Sequence, residues 1–254
     1  KGFPIIDVMN KTGYDVSVIG NHEFDYGQVI LNDRMAQAEF DWVLANVNTE
    51  TTDLTQSLPF VTKKIDDIKV TILGLVETFG KENATIPATH PWRVSGLTFQ
   101  NYFDVIADYR DLKKKEDADV YIALTHLGNF SDTNIANEFP YFDLIIGGHS
   151  NHLNDKVING IPVLMAGKSL SHLGRIRLVI EDKKVISHEI ELINITSYDS
   201  KDEALEAAID EYNNAPEFAE GIGTANSHHS TGELGCFYTT ALKEYMKVDF
   251  SIQL

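Results

Sequence analysis

Short apolar, β-branched runs alternate with stretches whose apolar positions recur every three to four residues through residue 195. The opening predicts a helix. Pro4 suits its first turn, Ile5, Val8 and Met9 recur at helical spacing, and Gly13 suits the position just past its end. Strands are predicted at 15–19, 42–44, 68–76, 119–124, 142–146 and 161–165, each a compact apolar run bounded by polar or glycine-bearing residues. Helices are predicted at 29–39 and at 102–115, where Phe103, Ile106, Tyr109 or Arg110 and Leu112 recur at roughly helical spacing and three lysines lie near the C-terminal end, which favours cations. Residues 175–180 and 185–193 alternate around Glu181-Asp182-Lys183-Lys184, the pattern of a β-hairpin. Strands apolar on both faces, interleaved with helices, predict a layered α/β fold.

Beyond residue 198 the pattern changes. An acidic, alanine-rich helix is expected at 202–212, a break at 213–223, a second helix at 234–246, and a strand starting at Val248. The expected division is a main domain at 1–198, a linker helix at 199–222 and the start of a second domain at 223–254. Phe237, Tyr238 and Tyr245 are expected in the core of that second domain.

Charge narrows the range of partners. Lys and Arg number 21 against 38 Asp and Glu, a formal net charge of −17 across 254 residues. Such a surface argues against non-specific nucleic-acid binding, which needs cations to displace counterions. It allows an anionic substrate where a bound cation reverses the local field. Cys236 is the single cysteine, so an internal disulfide and a cysteine-based zinc site are both excluded. No apolar run is long enough to span a bilayer. No oligomeric state follows from the sequence.

The candidate chemistry lies at strand ends. Three predicted strands terminate in short polar bursts carrying histidine: Asn21-His22, Thr125-His126 and Gly147-Gly148-His149-Ser150-Asn151. In layered α/β folds ligands bind beyond the carboxyl ends of the strands, so these residues are expected at one edge. Imidazole nitrogens and amide oxygens suit borderline divalent metals such as zinc, manganese or cobalt. His152 is a weaker candidate ligand, and His228-His229 read as solvated. Asn46, at another strand end, reads as a loop-fixing residue.

The ordered set Gly20-Asn21-His22-Glu23-Phe24-Asp25-Tyr26-Gly27, Thr125-His126-Leu127-Gly128 and Gly147-Gly148-His149-Ser150-Asn151 resembles the 5′-nucleotidase family of calcineurin-like metallophosphoesterases. The resemblance implies a β-sandwich flanked by helices and a two-metal centre (Zn, Mn, Co or Mg) that hydrolyses phosphoesters with an activated hydroxide. It implies that Asn21, His126 and His149 bind one metal and Asn151 the other. His22 and Asp25 would form a catalytic dyad. Nucleoside monophosphates or other small phosphoesters would be the substrates, and a periplasmic, secreted or cell-surface location is implied. The same family includes 2′,3′-cyclic-nucleotide phosphodiesterases and nucleotide-sugar hydrolases, and a metal-poor scaffold is the reading of another class.

This chain departs from the family pattern. An upstream Asp-x-His and a bridging Gly-Asp are expected before Asn21, and neither occurs in the 20 residues that precede it. The sequence therefore reads as part of a longer protein, truncated at its N-terminus and within its second domain. Asn21, His126, His149 and Asn151 are all neutral. Two dications without an anionic ligand would repel one another, so the chain alone is expected to hold at most one metal, weakly, and to hydrolyse phosphoesters poorly.

Overall fold

The computed structural model describes residues 1–80, 84–214, 216, 221 and 224–248. Six strands form the central sheet: β4 (Phe60–Ile65), β5 (Ile68–Val76), β7 (Val120–His126), β8 (Leu144–Gly147), β9 (Leu153–Ile158) and β10 (Ile161–Ala166). Their order is β4-β5-β7-β8-β10-β9. The four inner strands run parallel, and β4 and β9 flank them antiparallel. The parallel strands bury apolar residues on both faces, as their unbroken runs require: Leu73, Tyr121, Ala123, Ile145 and Val163 on one face and Val76, Val120, Leu144 and Leu164 on the other.

A second layer begins with helix α1 (Phe3–Thr12), strand β1 (Val16–Val18), helix α2 (Gly27–Gln37) and strand β2 (Asp41–Val43). β1 and β2 pair in parallel. Past the end of β2, the amides of Leu44 and Ala45 donate to the carbonyls of Leu58 and Gly74, at 2.8 Å each, which ties this layer to the central sheet. Gly13 ends α1 in the left-handed conformation, as expected. The buried residue of α1 is Ile6, with Met9 packed beside it, whereas Ile5 faces solvent.

Two apolar cores follow from the two layers. One gathers Leu73, Tyr121, Ile135, Phe142 and Ile145; the other gathers Ile19, Phe24, Leu31, Trp42, Leu44 and Phe99. Between the layers the short strands β3 (Val47–Asn48) and β6 (Thr98–Phe99) pair antiparallel. β11 (His172–Glu181) and β12 (Lys184–Asn194) form the expected hairpin, whose two turn residues, Asp182 and Lys183, are both left-handed.

The helix expected at 102–115 is three shorter pieces: α3 (Tyr102–Ile106), a 3-10 turn at Ala107–Tyr109, and α4 (Leu112–Lys115). The Tyr141 hydroxyl donates to the Ile106 carbonyl at 2.8 Å and the Tyr121 hydroxyl to the Tyr109 carbonyl at 3.1 Å. Side-chain donors thus occupy carbonyls that a continuous helix would use. Helix α5 (Asn129–Glu138) was not expected from its polar composition, and neither were β4 and β9.

The chain divides into two compact units, 1–210 and 211–254, with the division inside the helix Glu203–Asn213. In the second unit the helix Thr231–Met246 opens with a capping box, Ser230 and Glu233 satisfying each other's amides. Phe237 and Tyr245, expected in a core, are 75% and 87% exposed. No other regular element among the described residues of this unit covers them. The strand expected from Val248 and part of the break at 213–223 lie outside the described residues. Among the described residues no helix is long and apolar enough to cross a membrane.

Candidate functional site

The carboxyl ends of β1, β7 and β8 deliver the three histidine-bearing bursts to one edge. His126 closes β7 itself, and His149 follows β8 by two residues. Asn21 follows β1 and is 3% exposed. His126 Nε2 lies 2.8 Å from Asn21 Oδ1, and His149 Nδ1 lies 3.3 Å from the same oxygen. The two imidazole rings meet edge to face, with centroids 5.1 Å apart. The Asn21 amide is oriented from its other side: Nδ2 donates to the Ala88 carbonyl at 3.0 Å, leaving Oδ1 aimed at the histidines.

Local backbone makes this convergence possible. A side chain at position 20 would place its Cβ 2.7 Å from the His126 ring, so the imidazole can lie against that strand end because residue 20 is glycine. His149 adopts φ 75° and Asn151 φ 57°, so two non-glycine residues of one loop are left-handed. Strain of this kind collects at functional loops and persists where the surroundings enforce it. The enforcement is visible: Ser150 Oγ accepts the Asn129 amide at 3.0 Å, which pins the loop to the start of α5.

His22 and Asp25 lie on the 3-10 turn His22–Phe24 and its cap. His22 Nδ1 donates to Asp25 Oδ2 at 2.9 Å. Asp25 Oδ1 accepts from Arg93 Nη1 at 2.8 Å. Asn151 is exposed and makes no hydrogen bond to Asn21, His126 or His149 among the described residues. His152 is also exposed, and its Nδ1 is taken up by Ser150. A cavity of about 530 Å³ opens beside His149, walled by Phe79, Leu127, Phe130, Ser150 and His152.

Burial, together with the nearby His149 and His22, lowers the His126 pKa to about 4, so its imidazole is neutral at pH 7. A neutral imidazole is the ligating form. Tetrahedral coordination at ~2.1 Å sets neighbouring donors roughly 3.4 Å apart. The 3.3 Å between His149 Nδ1 and Asn21 Oδ1 is close to that, and the 2.8 Å to His126 Nε2 is a hydrogen bond that would open by about half an ångström; with that shift Asn21, His126 and His149 fit one borderline divalent cation. They do not fit a charge-balanced pair. Glu23 turns back to the Gly20 amide at 2.7 Å, and buried Glu77 accepts the amides of Phe79 and Ala88 at 2.7 and 2.6 Å. Among the described residues no three His, Cys, Asp or Glu side chains gather as a metal site.

Glu77, Ala88, Arg93 and Asp132 were not singled out from the sequence. Glu77 carried the available signal, a charged residue directly after an apolar strand. Arg93 and Ala88 reach the site through a loop whose path no periodicity reveals. Asn46 is fully buried, donates to the Val76 and Gln100 carbonyls and accepts the Val76 amide, so it joins the two layers beneath the site.

No family model matches the chain. It is 27% identical over 241 residues to the trifunctional nucleotide phosphoesterase protein YfkN of Bacillus subtilis (strain 168), covering 80% of this chain and 16% of that protein. It is 30% identical over 178 residues to the 5′-nucleotidase of Vibrio cholerae serotype O1 (strain ATCC 39315 / El Tor Inaba N16961), covering 64% of this chain and 29% of that one. The chain thus spans less than a third of either relative. The crystal structure of the calcineurin-like phosphoesterase YfkN from Bacillus subtilis superposes with a TM-score of 0.72 at 27% identity, over 86% of this chain and 75% of that one. The shared fold, these relatives and the three strand-end motifs agree in supporting the 5′-nucleotidase family of calcineurin-like phosphoesterases for this chain.

Proposed function

We propose that this chain supplies the metal-holding and proton-handling groups of a phosphoester hydrolase acting on nucleoside monophosphates. The observation that carries the reading is the convergence of His126 Nε2 and His149 Nδ1 on Asn21 Oδ1. The His22–Asp25 pair on the same strand end supports it. A divalent cation bound there would supply Lewis acidity toward a phosphoryl oxygen and lower the pKa of water.

The chain's own groups do the rest. The Ala88 carbonyl fixes the Asn21 amide so that its oxygen, not its nitrogen, faces the ligand position. Asp25 holds His22 through Nδ1, which leaves Nε2 for the substrate; in the imidazolium form that nitrogen carries the proton to be donated. From that atom His22 stabilises charge on the phosphoryl group or protonates the leaving oxygen. The carboxylate keeps the imidazole in one tautomer and orientation. The cavity beside His149 leaves open space for an arriving ester. A setting outside the cytoplasm, periplasmic, secreted or surface-bound, accompanies this reading.

Calorimetric titration of the chain with Zn²⁺ or Mn²⁺ tests the site. One equivalent bound weakly, and lost in His126→Ala and His149→Ala, is expected. Undiminished binding in both variants would refute the assignment. Phosphate release from AMP, with 2′,3′-cyclic AMP and a nucleotide sugar alongside, tests the activity. His22→Ala should lower the rate by ~10² or more if that residue handles the proton. The relative's name, a trifunctional nucleotide phosphoesterase, favours testing more than one ester.

A further inference from the structure

The His22–Asp25 pair has a weakness that its geometry exposes. Its side chains are 75% and 38% solvent-exposed. An exposed side-chain contact three residues apart on a short turn is too weak to hold one side-chain conformation by itself. An aspartate with a free second oxygen would rotate, and the imidazole would lose its fixed tautomer for part of the time. The second oxygen is not free: Asp25 Oδ1 accepts from Arg93 Nη1 at 2.8 Å while Oδ2 serves His22 at 2.9 Å.

Arg93 comes from a distant segment that is itself anchored. It lies in the 3-10 turn Pro91–Val94, whose first residue has its φ fixed by the proline ring. Gln28 Nε2, near the start of α2, donates to the Arg93 carbonyl at 3.2 Å and to the Ser95 carbonyl at 2.9 Å. The Arg93 side chain is 22% exposed, and its guanidinium lies over the Trp92 ring, 5.3 Å from the centroid. A planar cation that is always charged, on a braced backbone and flanked by an aromatic face, is a far stiffer partner than an exposed imidazole.

We infer that Arg93 is a positioning residue: it locks the Asp25 carboxylate so that Asp25 can hold His22 in the proton-donating orientation. Arg93 acts through Asp25. This rests on the dyad role proposed above, and the two can fail separately.

The test combines NMR of the imidazole with steady-state kinetics, on the full chain at one pH. In ¹⁵N-labelled protein the His22 Nδ1–H is expected as a single tautomer hydrogen-bonded to Asp25. Arg93→Ala should average that signal between tautomers, and Arg93→Lys should restore it in part. Cation affinity, measured by calorimetry, should stay within twofold of wild type, which shows that the fold and the Asn21 site survive. An unchanged His22 signal in Arg93→Ala would overturn the inference whether or not the chain turns over substrate. In turnover, Arg93→Ala should lower kcat about tenfold with little change in KM, a fraction of what general acid–base catalysis supplies. The Asp25→Ala, Arg93→Ala double variant should be no slower than Asp25→Ala alone. A full multiplicative loss in the double variant would make Arg93 an independent group and also overturn the inference. If Asp25→Ala and His22→Ala leave phosphate release unchanged, the dyad role fails, while the NMR result still decides whether Arg93 orders the pair.

Discussion

Asp132 is fully buried; Thr125 Oγ1 donates to its Oδ1 at 2.6 Å, and its Oδ2 has no hydrogen-bond partner among the described residues. The carboxyl lies so close to Gly147 that a Cβ there would be 1.9 Å from Oδ2, which explains the glycine at the end of β8. Burial pushes the Asp132 pKa up to about 7. The folded chain therefore keeps a proton that the unfolded chain releases near 3.8, and stability falls as pH rises between those values. His126 has the opposite sign. Its pKa is lowered to about 4, so the unfolded chain binds a proton that the folded one refuses, and stability falls as pH drops from 6.5 toward 4. The two windows overlap and the slopes oppose. In chelator, Asp132→Asn, which mimics the protonated acid, should expose the His126 term. Urea denaturation between pH 4 and 6.5 should then show a steeper acid loss than in wild type; an equal or shallower slope would contradict the pairing.

At the scale of single elements, the helix Thr231–Met246 offers a clean measurement. The Ser230 amide, donating to the Glu233 carboxylate at 2.7 Å, together with the Ser230 hydroxyl, holds the Glu233 pKa below its usual value. The cap is thus intact above about pH 4.5 and is lost as pH falls through the lowered pKa. Ser230→Ala should cost ~1 kcal/mol locally, read as roughly fivefold faster amide hydrogen exchange in the first turn. No change in exchange would mean that the cap does not limit opening of this helix. The elements also show what the sequence made legible. β5, β7, β8 and β10 were readable because buried parallel strands need unbroken apolar runs, and such a run ending in glycine and histidine marks a strand end. β4 and β9 were not, because edge strands carry charges such as Lys63, Lys64, Asp155 and Lys156. The Asn159-Gly160 turn between β9 and β10 was a usable signal that went unread. α5 was hidden because it buries Ser131 and Asp132 alongside Ile135 and Ala136, so its inward face is not an apolar stripe. Asn21, His126 and His149 were legible as strand-end residues. Arg93 was not, because its role depends on a loop crossing 68 residues of sequence to reach Asp25.

Across the molecule, the central sheet and the layer of β1 and β2 meet where the site forms. The acidic surface, −17 in formal charge, surrounds a site whose three converging donors are neutral. Cations are therefore drawn toward the chain by its long-range field and held by short-range donor chemistry, so raising ionic strength should slow their association more than their dissociation. The contacts that define the site join residues 105 and 128 positions apart. Closing loops of that length carries an entropic cost that must be met before any of the three donors can cooperate, and contacts of such separation form late in folding. The site is then a record of completed assembly. In stopped-flow refolding, cation uptake should follow the slowest phase of tyrosine and tryptophan burial rather than accompany an earlier one. Uptake in an early phase would mean that Asn21 meets its histidines before the sheet between them is built.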